Sequence, residues 1–151
     1  MNYIKLQQDI LKAKFDEDTR GRRSPFVYGF HENSVAIIVN RCYIVFVPQH
    51  CFYLDLKKVF PDNVPVKLDT MLKRIHEAEP VEDTKSIRIV TDQERKVRVF
   101  AGPKDQIWLA DDTFKYFDKN VTEYRGTDKK GPVYLYEYEV LVGIILPVNH
   151  H

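Results

Sequence analysis

Hydrophobic positions recur with a period of two through most of this chain and with a helical period in only a few segments. The longest apolar and aromatic run, residues 132–147, reads PVYLYEYEVLVGIILP. Val133 and Leu135 alternate there with Tyr134 and Tyr136, the period of a strand. Glu137, Tyr138 and Glu139 break the run as a tight connection, and residues 140–146 read as a second, more deeply buried strand. A hairpin is therefore expected over residues 132–148. Gly143 fills no core volume, which points to a bend, a bulge or a close neighbour, and Pro147 cannot donate to a ladder and marks the end.

The same alternation predicts a short strand at 26–30 and a hairpin over residues 34–48, turning at Asn40-Arg41. Both faces of that hairpin are apolar, so it belongs in the centre of the sheet or beneath a helix. Another hairpin is expected over residues 86–100. Its Ile87, Ile89, Val97 and Val99 are assigned to one face and Arg88 and Arg98 to the other, giving a sheet with one wet side. Shorter strands are expected at 107–109 and 121–124.

Helical periods appear over residues 3–15, where Ile4, Leu11 and Phe15 form a stripe widened by Leu6 and Ile10. A second helix is expected over residues 70–78, capped by Asp69, with Met71, Leu72, Ile75 and Ala78 buried. A short helix over 112–118 follows Asp111 and carries Phe114 and Phe117. The segment 16–25 has no period and reads as a loop, acidic first and basic afterwards. These elements predict a single α+β domain over residues 1–151, mostly antiparallel sheet with two or three helices.

Composition narrows the function classes. The chain has 151 residues, 44% hydrophobic and 30% charged, a usual balance for one domain with a sizeable core. A formal net charge of +1 supplies no global field, so any nucleic-acid contact must come from a local patch. No run approaches the roughly 18 apolar residues of a membrane span, and the N-terminus lacks the apolar core of a signal peptide. A cytoplasmic location without membrane contact is expected. The two cysteines, Cys42 and Cys51, make no disulfide framework and are expected to be buried thiols.

Candidate chemistry is sparse. His31, Cys42, His50 and Cys51 are the metal-ligating types in the first hairpin region, but their spacing is not that of a zinc site, and neither metal nor cofactor is expected. Asp111-Asp112 and Glu137/Glu139 are the close carboxylate pairs, better explained as a helix start and a solvent-facing turn. Arg20, Arg22 and Arg23 flank Gly21 in a basic stretch suited to phosphates or an acidic partner. Arg95, Lys96 and Arg98 make a second small basic cluster.

The last forty residues resemble the end of a domain of the bacterial DNA sliding clamp. A short helix over 112–118 and a strand at 121–124 precede Gly131-Pro132-Val133, and the run Gly143-Ile144-Ile145-Leu146-Pro147-Val148 closes the chain. The match covers about a quarter of the chain, and Asn149 stands where clamps carry a terminal Arg. The resemblance implies two helices on one side of a curved antiparallel sheet, facing DNA through Lys5, Lys12 and Lys14 on the first and Lys73 and Arg74 on the second. It also implies a non-enzymatic role in a phage or bacterial setting. The expected function is a small non-catalytic interaction or accessory module, with a protein partner or self-association and weak, salt-dependent DNA contact. The alternative is a nucleic-acid-processing enzyme whose carboxylate site draws on Asp111, Asp112, Glu137 and Glu139.

Overall fold

The computed structural model describes residues 1–90, 94–117 and 120–149. It opens with helix α1 (Tyr3–Arg20), capped where the Asn2 side chain accepts a hydrogen bond from the Lys5 N–H at 3.2 Å. The helix continues as far as Arg20, into the first half of the stretch 16–25 expected to be a loop. Lys14 pairs with Asp18 at 2.9 Å and Arg20 lies 3.9 Å from Asp16, both four residues apart on the helix surface. Gly21 ends it with a φ of 65°, and its N–H returns to the Glu17 carbonyl.

The face that α1 buries also differs from the expected stripe. Leu6, Gln7 and Ile10 are buried, whereas Ile4, Leu11 and Phe15 are 68%, 50% and 60% exposed. Gln7 sets this rotation. Its amide nitrogen donates to the Tyr3 and Cys51 carbonyls at 3.0 and 2.9 Å, and its oxygen accepts from the Tyr53 N–H at 2.6 Å. Turning the helix to bury Ile4 and Phe15 would abandon the bonds to Cys51 and Tyr53 inside a low-dielectric interface.

Among the described residues nine strands make one antiparallel sheet: β1 (Phe26–His31), β2 (Ser34–Val39), β3 (Tyr43–Pro48), β4 (Glu79–Val90), β5 (Arg95–Ala101), β6 (Gln106–Ala110), β7 (Glu123–Gly126), β8 (Val133–Glu137) and β9 (Val140–Ile145). Their spatial order is β1-β2-β3-β9-β8-β7-β4-β5-β6. The expected α+β architecture is the one observed, and the hairpins at 34–48 and 132–148 form in place. Their turns have positive φ at both central residues: 51° and 58° at Asn40 and Arg41, 48° and 70° at Tyr138 and Glu139. That primed geometry matches the twist of the flanking strands.

Alternation on β2 divides the interior. Val35, Ile37 and Val39 pack into the core shared with Leu6 and Ile10 of α1. Ala36 and Ile38 face the opposite way, into a second core with Met71, Leu72 and Ile75. These last belong to α3 (Asp69–Leu72) and a 3-10 turn at Ile75–Glu77, so the helix expected over 70–78 is reduced to two short turns. Tyr134 explains the break: its phenol donates at 2.7 Å to the Met71 carbonyl, the group that a continuing helix would offer to the Ile75 N–H. Asp69 lies inside the first turn and Leu68 occupies the cap position. The central hairpin is covered on both faces as expected, but α1 and α3 flank opposite sides of the sheet.

The expected helix over 112–118 is a 3-10 turn, Asp111–Phe114, with Ala110 rather than Asp111 at its cap position; residue 118 lies outside the described residues. The single helical turn at α2 (Leu56–Val59) follows an Asp55 cap that accepts from the Lys57 N–H at 3.0 Å. No described helix is long and apolar enough to cross a membrane.

Strand β4 carries the chain from one part of the sheet to another. Glu79, Pro80 and Val81 pair with β7, whereas residues from Glu82 onwards pair with β5. A bulge between Asp83 and Ser86, with Lys85 at a φ of 64°, bends the strand at the transfer. Beyond it β5 and β6 fold back, and Phe100, Ile107 and Leu109 join the α1 core. Both end strands are partly closed by passing chain: the Val66 N–H bonds the Tyr28 carbonyl at 2.8 Å, and the Val148 N–H bonds the Trp108 carbonyl at 2.7 Å.

Candidate functional site

The expected cationic residues are scattered and partly consumed by ion pairs. Lys5 is held by Asp9 at 2.9 Å, Lys14 by Asp18, Arg20 lies near Asp16, and Arg74 bonds Glu77 at 3.0 Å and Asp128 at 3.5 Å. Among the described residues Lys12, Arg22, Arg23 and Lys73 have no carboxylate partner and are exposed. Lys12 and Lys73 belong to elements on opposite sides of the sheet, so the two helical clusters do not merge into one surface.

The carboxylates expected for an alternative enzyme do not gather either. Asp111 accepts from Arg98 at 2.8 Å, and Asp112 lies 3.7 Å from Arg95. Glu137 and Glu139 sit at the β8–β9 turn. Among the described residues no group of three or more His, Cys, Asp or Glu could hold a metal ion. His31 lies against the Phe46 ring at the end of β1, Cys42 follows the β2–β3 turn, and His50 and Cys51 form a 3-10 turn.

A cleft of about 490 Å³ between α1, the β2–β3 turn and the 111–114 turn collects more charge. Its centre is Asp9, which takes the Tyr116 phenol proton at 2.6 Å and lies 2.9 Å from Lys5 and 3.2 Å from Lys115. Burial works against ionisation of Asp9, but the bonds from Tyr116, Lys5 and Lys115 outweigh it and hold the carboxyl below its ordinary value. Burial, then the bond to Asp9, pushes the Tyr116 phenol far up. Burial also drives Tyr43, with help from Asp112, Asp9 and Cys42, to about 12. Three donors thus converge on the Asp9 carboxylate, and the cluster ties α1 to Lys115 and Tyr116.

The β4–β5 hairpin presents the surface that the residue pattern had misassigned. Val90 pairs with Arg95, and this register sets Ile87 opposite Arg98, Arg88 opposite Val97 and Ile89 opposite Lys96. Directly opposed residues share a face, so the isoleucines stand with the cations and the valines with Arg88. Val97 and Val99 are buried, and Arg88 lies over the Trp108 ring at 5.6 Å. Ile87 and Ile89 remain 53% and 70% exposed. The expected single apolar face is therefore corrected by one residue of register, set by the length of the connection between Val90 and Arg95.

Around the isoleucines the arm is basic. Lys85, Arg88, Arg95, Lys96 and Arg98 lie within it, with Lys85 and Arg95 at 3.5 and 3.7 Å from Asp83 and Asp112, and a groove of about 530 Å³ runs beside Lys85, Ile87, Lys96 and Arg98 with Asp83 and Asp111 also in its wall. Arg98 is engaged by Asp111 and sits over the Phe114 ring at 4.0 Å. Among the described residues Arg88 and Lys96 have no carboxylate partner. Ladder pairing with β7 ends at Val81, so among the described residues no strand neighbours the outer side of β4 over residues 86–90. Arg95, Lys96 and Arg98 were visible in the sequence as a cluster; Ile87 and Ile89 were not, because an apolar alternation gives no warning of a register that turns it outward.

No family model, no curated protein and no solved structure matches this chain.

Proposed function

We propose that this chain is a non-catalytic interaction module that engages a partner protein through the β4–β5 arm. The observation that carries the reading is the pair Ile87 and Ile89, exposed on a strand whose outer side is unpaired among the described residues, with Arg88 between them and Lys96 opposite Ile89. Burying two aliphatic side chains on contact contributes on the order of 1.5–3 kcal/mol each, whereas exposed ion pairs contribute little but favour an acidic partner. The sheet's two end strands each receive a bond from passing chain, so the open side of β4 contrasts with the management of the other edges. The reading rests on the arm and does not draw on the clamp resemblance; α1 and α3 flank opposite faces of the sheet.

The test is a displayed-peptide selection on the full chain, followed by solution titration of enriched sequences against wild type and an Ile87→Ser/Ile89→Ser variant. The reading expects at least about tenfold weaker binding to the variant. Equal binding to both chains would contradict it. So would tighter, steeply salt-dependent binding of duplex or single-stranded DNA that is lost in Arg22→Ala/Arg23→Ala.

A further inference from the structure

We infer that the partner contributes an extended segment that adds as a further strand to the outer side of β4 at residues 86–90, with apolar and acidic side chains in alternation. The inference rests on the arm being the binding surface and specifies how that surface is used. In an antiparallel pair only alternate residues bond their partner strand, so the intervening residues of β4 direct N–H and C=O groups away from β5. Among the described residues no strand occupies that side beyond Val81. A segment laid there would satisfy those groups and continue the line that β7 leaves.

Side chains then dictate the segment's composition. On one face it meets Ile87 and Ile89, which reward apolar residues; on the other it meets Arg88, which rests over the Trp108 ring, has no carboxylate partner among the described residues and rewards a carboxylate when it turns to the open side. Lys96, opposite Ile89 on the isoleucine face, adds a positive charge beside the groove, which Asp83 and Asp111 also line. A second copy of this chain is the poorer occupant. Two-fold pairing centred on Arg88 would set that arginine against itself, and shifted registers still gather two sets of unpaired cations at one seam. A nucleic acid would neutralise the cations but would neither complete the ladder nor cover the isoleucines.

The experiment uses the acetylated, amidated heptapeptide Glu-Val-Glu-Val-Glu-Val-Glu and two isomers N-methylated at alternate residues, on the valines in one and on the glutamates in the other. Successive residues of a strand point their N–H groups to opposite edges, so only one isomer blocks the edge facing β4. Strand addition expects the parent peptide to bind, one isomer to weaken at least about tenfold, and the other to bind like the parent. Arg88→Glu should also weaken the parent about tenfold or more, with the fold verified by far-ultraviolet circular dichroism. Equal affinity of the two isomers overturns strand addition; if Ile87→Ser/Ile89→Ser still abolishes binding, the arm survives as a surface read through side chains alone. Absence of binding by the parent peptide overturns the proposed segment chemistry, as does its displacement by single-stranded DNA at equal charge concentration. Concentration-dependent dimerisation that Ile87→Ser/Ile89→Ser abolishes would instead assign the edge to a second copy and overturn the inference.

Discussion

The Tyr116 phenol donates to Asp9 across 2.6 Å, fastening the first helix to a turn that lies a hundred residues later in the chain. Asp9 also holds Lys5 and Lys115, so the contact is a charge-assisted cluster at 16% side-chain exposure of the carboxylate. Tyr116→Phe removes one donor and leaves two. We expect a loss of about 1–2 kcal/mol at pH 7, read by denaturant unfolding. Because Asp9 titrates below its ordinary value in the folded chain, its contribution is present above that value and fades as pH falls through the lowered one. The deficit of the variant should shrink accordingly below about pH 4.

Tyr43 provides the alkaline counterpart. Its phenol holds its proton to about 12 in the folded chain, chiefly through burial. Between about pH 10 and that value the unfolded chain releases the proton while the folded one retains it, so stability falls as pH rises. Tyr43→Phe should flatten this loss by on the order of 2 kcal/mol over the same window, measured as unfolding free energy at a series of pH values.

Gly143 is required by its neighbour. A Cβ there would run into the Phe117 ring and would lie 3.0 Å from the Ile44 carbonyl oxygen. The ring belongs to the core and the carbonyl to a central strand, so neither yields easily. Gly143→Ala should cost about 1–3 kcal/mol by overpacking, despite the entropy that alanine removes from the unfolded chain. An unchanged thermal midpoint would contradict this placement.

The hairpin register makes a paired prediction. Val97→Ala empties part of a fully buried site and should cost about 2 kcal/mol, whereas Ile87→Ser on the opposite face should change stability by less than about 0.5 kcal/mol. If the isoleucine proved the costlier of the two, the assignment of faces would be reversed.

Hairpins whose two faces are both buried were legible because any register leaves them apolar: β2, β3, β8 and β9 read as strands from composition and alternation alone. Gly143 was legible too, since an unfilled position in a core strand calls for a close neighbour. The faces of α1 and of the β4–β5 arm were not. A buried Gln7 with three hydrogen-bonded partners outweighs the apolar stripe of Ile4, Leu11 and Phe15, and two of those partners, Cys51 and Tyr53, lie more than forty residues away. The end of α1 was available locally, in Gly21 following a basic last turn. The open edge of β4 depends on where β7 stops pairing, a tertiary fact that no local pattern contains.

The most direct measurement of the central claim is amide hydrogen exchange by NMR over residues 86–90, in the free chain and with saturating Glu-Val-Glu-Val-Glu-Val-Glu peptide. The account predicts alternating behaviour in the free chain, with amides bonded to β5 protected and the intervening ones exchanging fast, and selective slowing of the fast set when the peptide is added. Uniform protection in the free chain, or protection on binding that appears along α1 and at Arg22 and Arg23 while residues 86–90 are unchanged, would contradict it.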